Sequence, residues 1–148
     1  MRKVKFLEIV IMIMPLKFPL NSKGFHPFAE LLGFNFTKLS KGFSQCVLDV
    51  NETLMNPHKK LHGGVLYSMA DTGMGAALYS LLEKDELCAT VEIKISYFKY
   101  VREGKVVCDT RILHKGKRFC ILESEIKNGE TLVAKANGTF SIFKIKKE

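Results

Sequence analysis

The sequence predicts an α+β domain in which an antiparallel sheet curves around one long central helix. Three features carry that prediction. A segment from His62 to about Leu82 repeats apolar residues at helical spacing, four strand-like segments separated by tight turns follow it, and two more strand-like segments precede it.

Residues 1–20 are read as an N-terminal extension to a single domain over 21–148. Basic Met1–Lys5 and apolar Phe6–Met14 mimic a secretory signal, but Glu8 interrupts the run and Pro15-Leu16-Lys17 is no small-residue cleavage site. The extension is a peripheral strand or helix, or an early start, with Met12 and Met14 as alternative first residues. His26–Phe34 reads as a short amphipathic helix ended by Gly33. Phe36–Val50 reads as two strands broken at Lys41-Gly42, and polar Asn51–Leu61, with Asn56-Pro57, as a loop.

In the long helix, Val65, Leu66, Met69, Ala70, Gly73, Ala76, Ala77 and Leu81 fall along one broad face, with Tyr67, Met74 and Leu78 on the other side. A helix apolar nearly all round must be buried. Next, Cys88–Tyr100 alternates, placing Val91, Ile93, Ile95 and Tyr97 on one face and Thr90, Glu92, Lys94 and Ser96 on the other. Strands follow over Lys105–His114, Arg118–Lys127 and Thr131–Phe143, with turns at Arg102-Glu103-Gly104, Lys115-Gly116 and the hairpin signal Asn128-Gly129. Short turns between successive strands imply an antiparallel meander. One helix does not cover a six-stranded sheet, so a second subunit is expected to complete the burial.

Composition narrows the function classes. The 148 residues suit one domain, and 47% hydrophobic content suits a buried core. No run approaches the roughly 20 apolar residues that span a bilayer, so no membrane partner is expected. A net charge of +8 favours an anionic partner. Zinc-finger spacing and RNA-binding aromatic signatures are absent, which argues against nucleic acid. Cysteines at 46, 88, 108 and 120 form no CxxC pair, so reduced thiols in a cytoplasmic protein are expected and no metal site.

The residues suited to chemistry gather around the helix. His62, Gly63 and Gly64 stand at its N-terminus, where free backbone N–H groups and the helix dipole favour a developing negative charge. Asp71 lies nine residues after His62, which puts it about 13 Å along the axis and on the opposite side. An Asp71 carboxylate therefore cannot reach a carbonyl held at the start of its own helix. If Asp71 is catalytic, the site must be shared between chains. Its helical neighbours Tyr67, Met74 and Leu78 are apolar, a setting in which a carboxylate is either hydrogen-bonded or employed.

Asn56, then His62-Gly63-Gly64, then Asp71 and Gly75, followed by Ala89-Thr90-Val91-Glu92, resembles the signature of hotdog-fold thioesterases of the phenylacetate-degradation type. Gly104 leading a strand, the turn His114-Lys115-Gly116-Lys117 and the ending Gly138-Thr139-Phe140 extend the resemblance over roughly residues 25–143. It implies a hotdog fold and hydrolysis of an acyl-CoA by a homodimer or homotetramer, with no cofactor beyond the coenzyme A of the substrate. Asp71 would be general base or nucleophile, and Thr90 would position the water. The Gly63 N–H and the Asn56 side chain would hold the thioester oxygen, and His62 would orient the substrate. Gly64, Lys115, Gly116, Lys117 and Arg118 would contact coenzyme A, with Lys99 and Arg102 behind them, and Met74 and Leu78 are candidates to line an acyl pocket. The ordinary readings are Asn56 as a turn residue, His62 as a helix cap and Thr90 as a strand former. Two other functions compete. A hydratase acting on enoyl thioesters is faintly indicated by Asn56-Pro57-His58, although Lys60 replaces the Asp it needs. A non-catalytic acyl-CoA-binding module is the other.

Overall fold

The computed structural model describes residues 24–145, so the reading of residues 1–20 lies outside the described residues. The chain runs α1 (Pro27–Leu32), β1 (Phe34–Ser40), β2 (Phe43–Asp49), a 3-10 turn (Glu52–Leu54), α2 (Gly63–Tyr79), β3 (Glu86–Tyr97), β4 (Lys105–Lys115), β5 (Phe119–Asn128) and β6 (Thr131–Lys144). The strands form one antiparallel sheet in the order β1-β2-β4-β5-β6-β3, with α2 packed across it. Among the described residues, no helix is long and apolar enough to cross a membrane.

Local chemistry sets the ends of the elements. The His26 side chain caps α1 by accepting the Ala29 N–H, Pro27 opens the helix, and Gly33 closes it in the left-handed conformation at φ 84°. Asn128 pairs with Thr131, so the two-residue hairpin loop is Gly129-Glu130 rather than Asn128-Gly129. Gly129, at φ 59°, takes the first loop position, which a type II′ turn reserves for glycine.

Three expectations are corrected. β3 does not belong to the meander: it pairs with β6 at the far edge of the sheet, whereas β4 pairs with β2 and β5. Helix α2 carries the chain across the sheet to that edge. The segment 98–104 brings it back past the start of α2, where the Leu61 N–H donates to the Val101 carbonyl. A seven-residue return is long enough to skip strands, unlike the two-residue turn between β5 and β6.

The second correction concerns which side of β3 each residue occupies. Thr90 pairs with Phe140 and Glu92 with Thr139, leaving Val91 as an unpaired bulge residue. The bulge reverses the alternation. Thr90 therefore shares the helix-facing side with Ile93, Ile95 and Tyr97, while Val91 points outward, 56% exposed.

The third concerns α2. Met74 and Leu78 are fully buried with Met69, Ala70 and Ala77 in the core between helix and sheet. They do not share a face with Tyr67, which is exposed.

The helix approaches the sheet closely at Gly73. A Cβ there would stand 2.7 Å from Thr110 Oγ1 and 3.4 Å from Ser44 Oγ. These hydroxyls are buried but satisfied: Ser44 donates to the Gly73 carbonyl at 2.7 Å, and Thr110 shares a 2.6 Å bond with Ser124. Gly73→Ala is expected to lose about 1–2 kcal/mol, the overpacking outweighing the gain in helix propensity. Urea denaturation checks this; a variant as stable as the parent would contradict the close approach.

Candidate active site

Asp71 projects from the middle of α2, half-buried, toward the edge strand. The Thr90 hydroxyl donates to Asp71 Oδ1 at 2.7 Å. The Val91 bulge makes this bond available, because an unbroken alternation would leave either Thr90 or Ile93 on the wrong side of the sheet. The carboxylate and hydroxyl open onto a cavity of about 490 Å³, with Tyr67, Gly75 and Tyr79 from α2, Phe140 from β6 and Phe28 from α1 among its walls. Cys88 also lines it. Burial pushes the Cys88 thiol up to about 11, helped by the nearby Cys120 and Asp71, so at neutral pH it is a protonated, poorly nucleophilic group.

A second cluster sits at the start of α2. His62 is the N-cap, and its Nδ1 accepts the Gly64 N–H at 2.9 Å. Gly63 opens the helix. Its carbonyl accepts a 2.9 Å bond from the Tyr97 hydroxyl, while among the described residues no group accepts its N–H. Such first-turn N–H groups have no partner inside a helix. Asn56 Oδ1 accepts the His58 N–H at 2.9 Å and the Lys60 N–H at 3.2 Å, which commits its carbonyl end to the loop and leaves its NH2 as the free donor. Asn56, Gly63, Tyr97, Lys60 and Lys99 border a cavity of about 270 Å³. Lys60 Nζ lies 4.2 Å and Arg102 Cζ 5.0 Å from the centre of the Tyr100 ring there.

The two cavities have no lining residue in common. One chain brings Asp71 and Thr90 together, and separately Asn56, His62 and Gly63, but it does not bring the two groups to each other. Gly64 is held under the His62 ring, where a Cβ would meet Nδ1 at 2.9 Å. Lys115, Gly116, Lys117 and Arg118 form the end of the β4–β5 hairpin and line neither cavity. They are nonetheless related to the carboxylate by the sheet. Thr90 pairs with Phe140, Phe140 with Cys120 and Cys120 with Lys115, three strand spacings or roughly 14 Å from the Asp71 partner.

Met74 and Leu78, candidates for an acyl pocket, are instead in the core. The residues that share the Asp71 face are Tyr67, Gly75 and Tyr79, four before, four after and eight after it. Helical spacing already places Tyr67 beside Asp71, and the same four-residue step carried forward reaches Gly75 and Tyr79. Tyr97 was also missed as a partner of Gly63, since nothing in its strand pattern signals a hydroxyl reaching a helix start.

With this geometry in hand, comparisons with known proteins carry direct meaning. The sequence profile of the Thioesterase superfamily matches residues 58–135. Protein SSO1253 of Saccharolobus solfataricus is 33% identical over 116 residues, covering 78% of this chain and 77% of its own. The acyl-coenzyme A thioesterase PaaI of Escherichia coli is 27% identical over 101 residues, 68% of this chain and 70% of that one. Among solved structures, conserved protein PA5202 of Pseudomonas aeruginosa superposes with a TM-score of 0.77 at 35% identity, covering 84% of this chain and 96% of that one.

Proposed function

The chain belongs to the thioesterase superfamily, as a hotdog-fold thioester hydrolase of the PaaI-like type, and from that premise we propose that it hydrolyses an acyl-CoA at a site shared between two copies of itself. The observation that carries the reading is the division of the machinery. Asp71 and Thr90 line one cavity, Asn56 and Gly63 line another, and a single chain does not bring the two pairs together.

Asp71 takes a proton from a water oriented by Thr90, and the water oxygen bonds to the thioester carbon. The carbonyl oxygen becomes an oxyanion held by the Gly63 N–H and the Asn56 NH2 of the second copy. Collapse breaks the carbon–sulfur bond, and the proton on Asp71 returns to the departing thiolate. Acid and thiol are released, and the carboxylate is regenerated. An alternative first step has Asp71 attack the carbon itself, expelling the thiolate and forming an anhydride; water then opens the anhydride to the acid and the Asp71 carboxylate, and a proton of that water ends on the thiol. Because the His62 Nδ1 is used in the cap, Nε2 is the atom left to orient substrate near the sulfur.

The second copy has a place to bind. β3 is an edge strand with its outer side unpaired, and Val91, Tyr97 and Phe98 are each at least half exposed. Antiparallel addition of another β3 continues the sheet and brings the two central helices alongside each other, giving a homodimer that can pair further into a tetramer. The net charge of +8 suits a substrate carrying phosphates, with Gly64, Lys115, Gly116, Lys117 and Arg118 as contacts for coenzyme A. Four free thiols fit a cytoplasmic setting.

A panel of acyl-CoAs assayed for thiol release tests the reading. Alongside it, Thr90→Ser is expected to retain activity within a few-fold, whereas Thr90→Val loses roughly 10²-fold in kcat through a misplaced water. Equal rates for Ser and Val would remove Thr90 from the mechanism. A panel without thiol release, but with a change in enoyl absorbance, would replace hydrolysis by hydration.

A further inference from the structure

Two glycines of α2 lie two residues apart and have different reasons to be glycine. At Gly73 a side chain is forbidden by Thr110 Oγ1, 2.7 Å from where the Cβ would be. At Gly75 nothing forbids it. A Cβ built there meets only Phe140 Cε1, at an ordinary contact distance of 3.9 Å. Its φ is not positive either, so the backbone does not require glycine. Glycine inside a helix is less stable than alanine, and at this position packing within the chain gives nothing in return.

What the missing side chain does is keep space open. Gly75 lies on the Asp71 face about one turn further along the helix, about 6 Å on. It borders the same cavity as Asp71 and Thr90, together with Phe28, Phe140, Tyr67 and Tyr79. Resting on the hydrolase reading above, we propose that Gly75 determines acyl specificity. Its bare backbone admits an acyl group that is broad within two or three atoms of the thioester carbonyl, a ring above all. The aromatic walls favour a flat apolar face. A narrow straight chain has no need of that space.

The test compares wild-type, Gly75→Ala and Gly75→Ser proteins on acetyl-CoA and benzoyl-CoA, together with their melting temperatures. For Gly75→Ala the ratio of kcat/KM for benzoyl-CoA over acetyl-CoA is expected to fall on the order of tenfold, as one added carbon in a fitted pocket does. Tm is expected to rise by about 2–5 °C. Gly75→Ser, with a group of similar size at the same place, should lower the ratio at least as far. An unchanged ratio in both variants overturns the proposal, since the substrate then does not meet residue 75. So does a fall in Tm for Gly75→Ala, which would make the glycine a packing requirement. A wild-type protein that cleaves acetyl-CoA but not benzoyl-CoA overturns the ring preference. One that releases thiol from no acyl-CoA at all overturns the hydrolase reading itself, a distinct failure.

Discussion

Asp71→Asn should abolish turnover, lowering kcat by roughly 10³-fold while changing KM little, because a neutral amide cannot take a proton from water. The substitution is nearly isosteric, and the Asn carbonyl still accepts the Thr90 hydroxyl that now bonds Asp71 Oδ1 at 2.7 Å. Fold and binding should therefore survive, with Tm close to the parent value. Single-turnover thiol release, read beside acyl-CoA binding by calorimetry, separates chemistry from affinity. Wild-type kcat in Asp71→Asn would remove the carboxylate from the reaction under either mechanism.

Gly63→Pro should be nearly as damaging, by a different route. Proline has no N–H, so the substitution deletes the proposed oxyanion donor, a change typically costing roughly 10²–10³ in kcat. It does so with little harm to the helix. Gly63 is the first helical residue, the position where proline is best tolerated. His62 already has φ −63° and ψ 131°, within the range that a following proline allows. The added Cβ would come within 3.1 Å of Tyr97, whose half-exposed ring has room to move.

The two variants together test the sharing of the site. In a mixed dimer, one site carries both defects and the other carries neither. Subunit exchange between two inactive preparations should therefore restore about a quarter of wild-type activity, half the dimers being mixed and each holding one sound site of two. If the mixture stays inactive although exchange is verified by mass, the site is not built across two copies.

The sequence reveals much of this fold because its signals are local. Helical spacing marks α2 to within three residues at its C-terminal end, and turn residues mark every strand after it. Strand order is not local: nothing between Tyr97 and Lys105 says that the chain skips two strands of the sheet, β6 and β5. The face of Thr90 depends on the bulge at Val91, and an alternating sequence carries no mark of a residue left unpaired in three dimensions. The candidate site residues come from spacing and resemblance, and helix geometry argues that Asp71 and Gly63, if they act on one substrate, do so across chains. The walls of the cavity were harder. Met74 and Leu78 look equivalent to Tyr67 on a helical wheel, yet they are buried in the core while Gly75 and Tyr79 line the open space.

The pairing of β3 with β6 also dictates a timetable. Glu86–Tyr97 leaves the ribosome well before Thr131–Lys144, yet those last residues form the rail on which it lies, with Glu86 paired to Lys144. A nascent chain can therefore wind α2 early but cannot fix Thr90 beside Asp71 until β6 has been made. Such long-range closures are the slow kind. A premature stop within β6, ahead of Phe140, would leave every residue of the Asp71–Thr90 and Asn56–Gly63 clusters translated, and the first of those clusters unassembled.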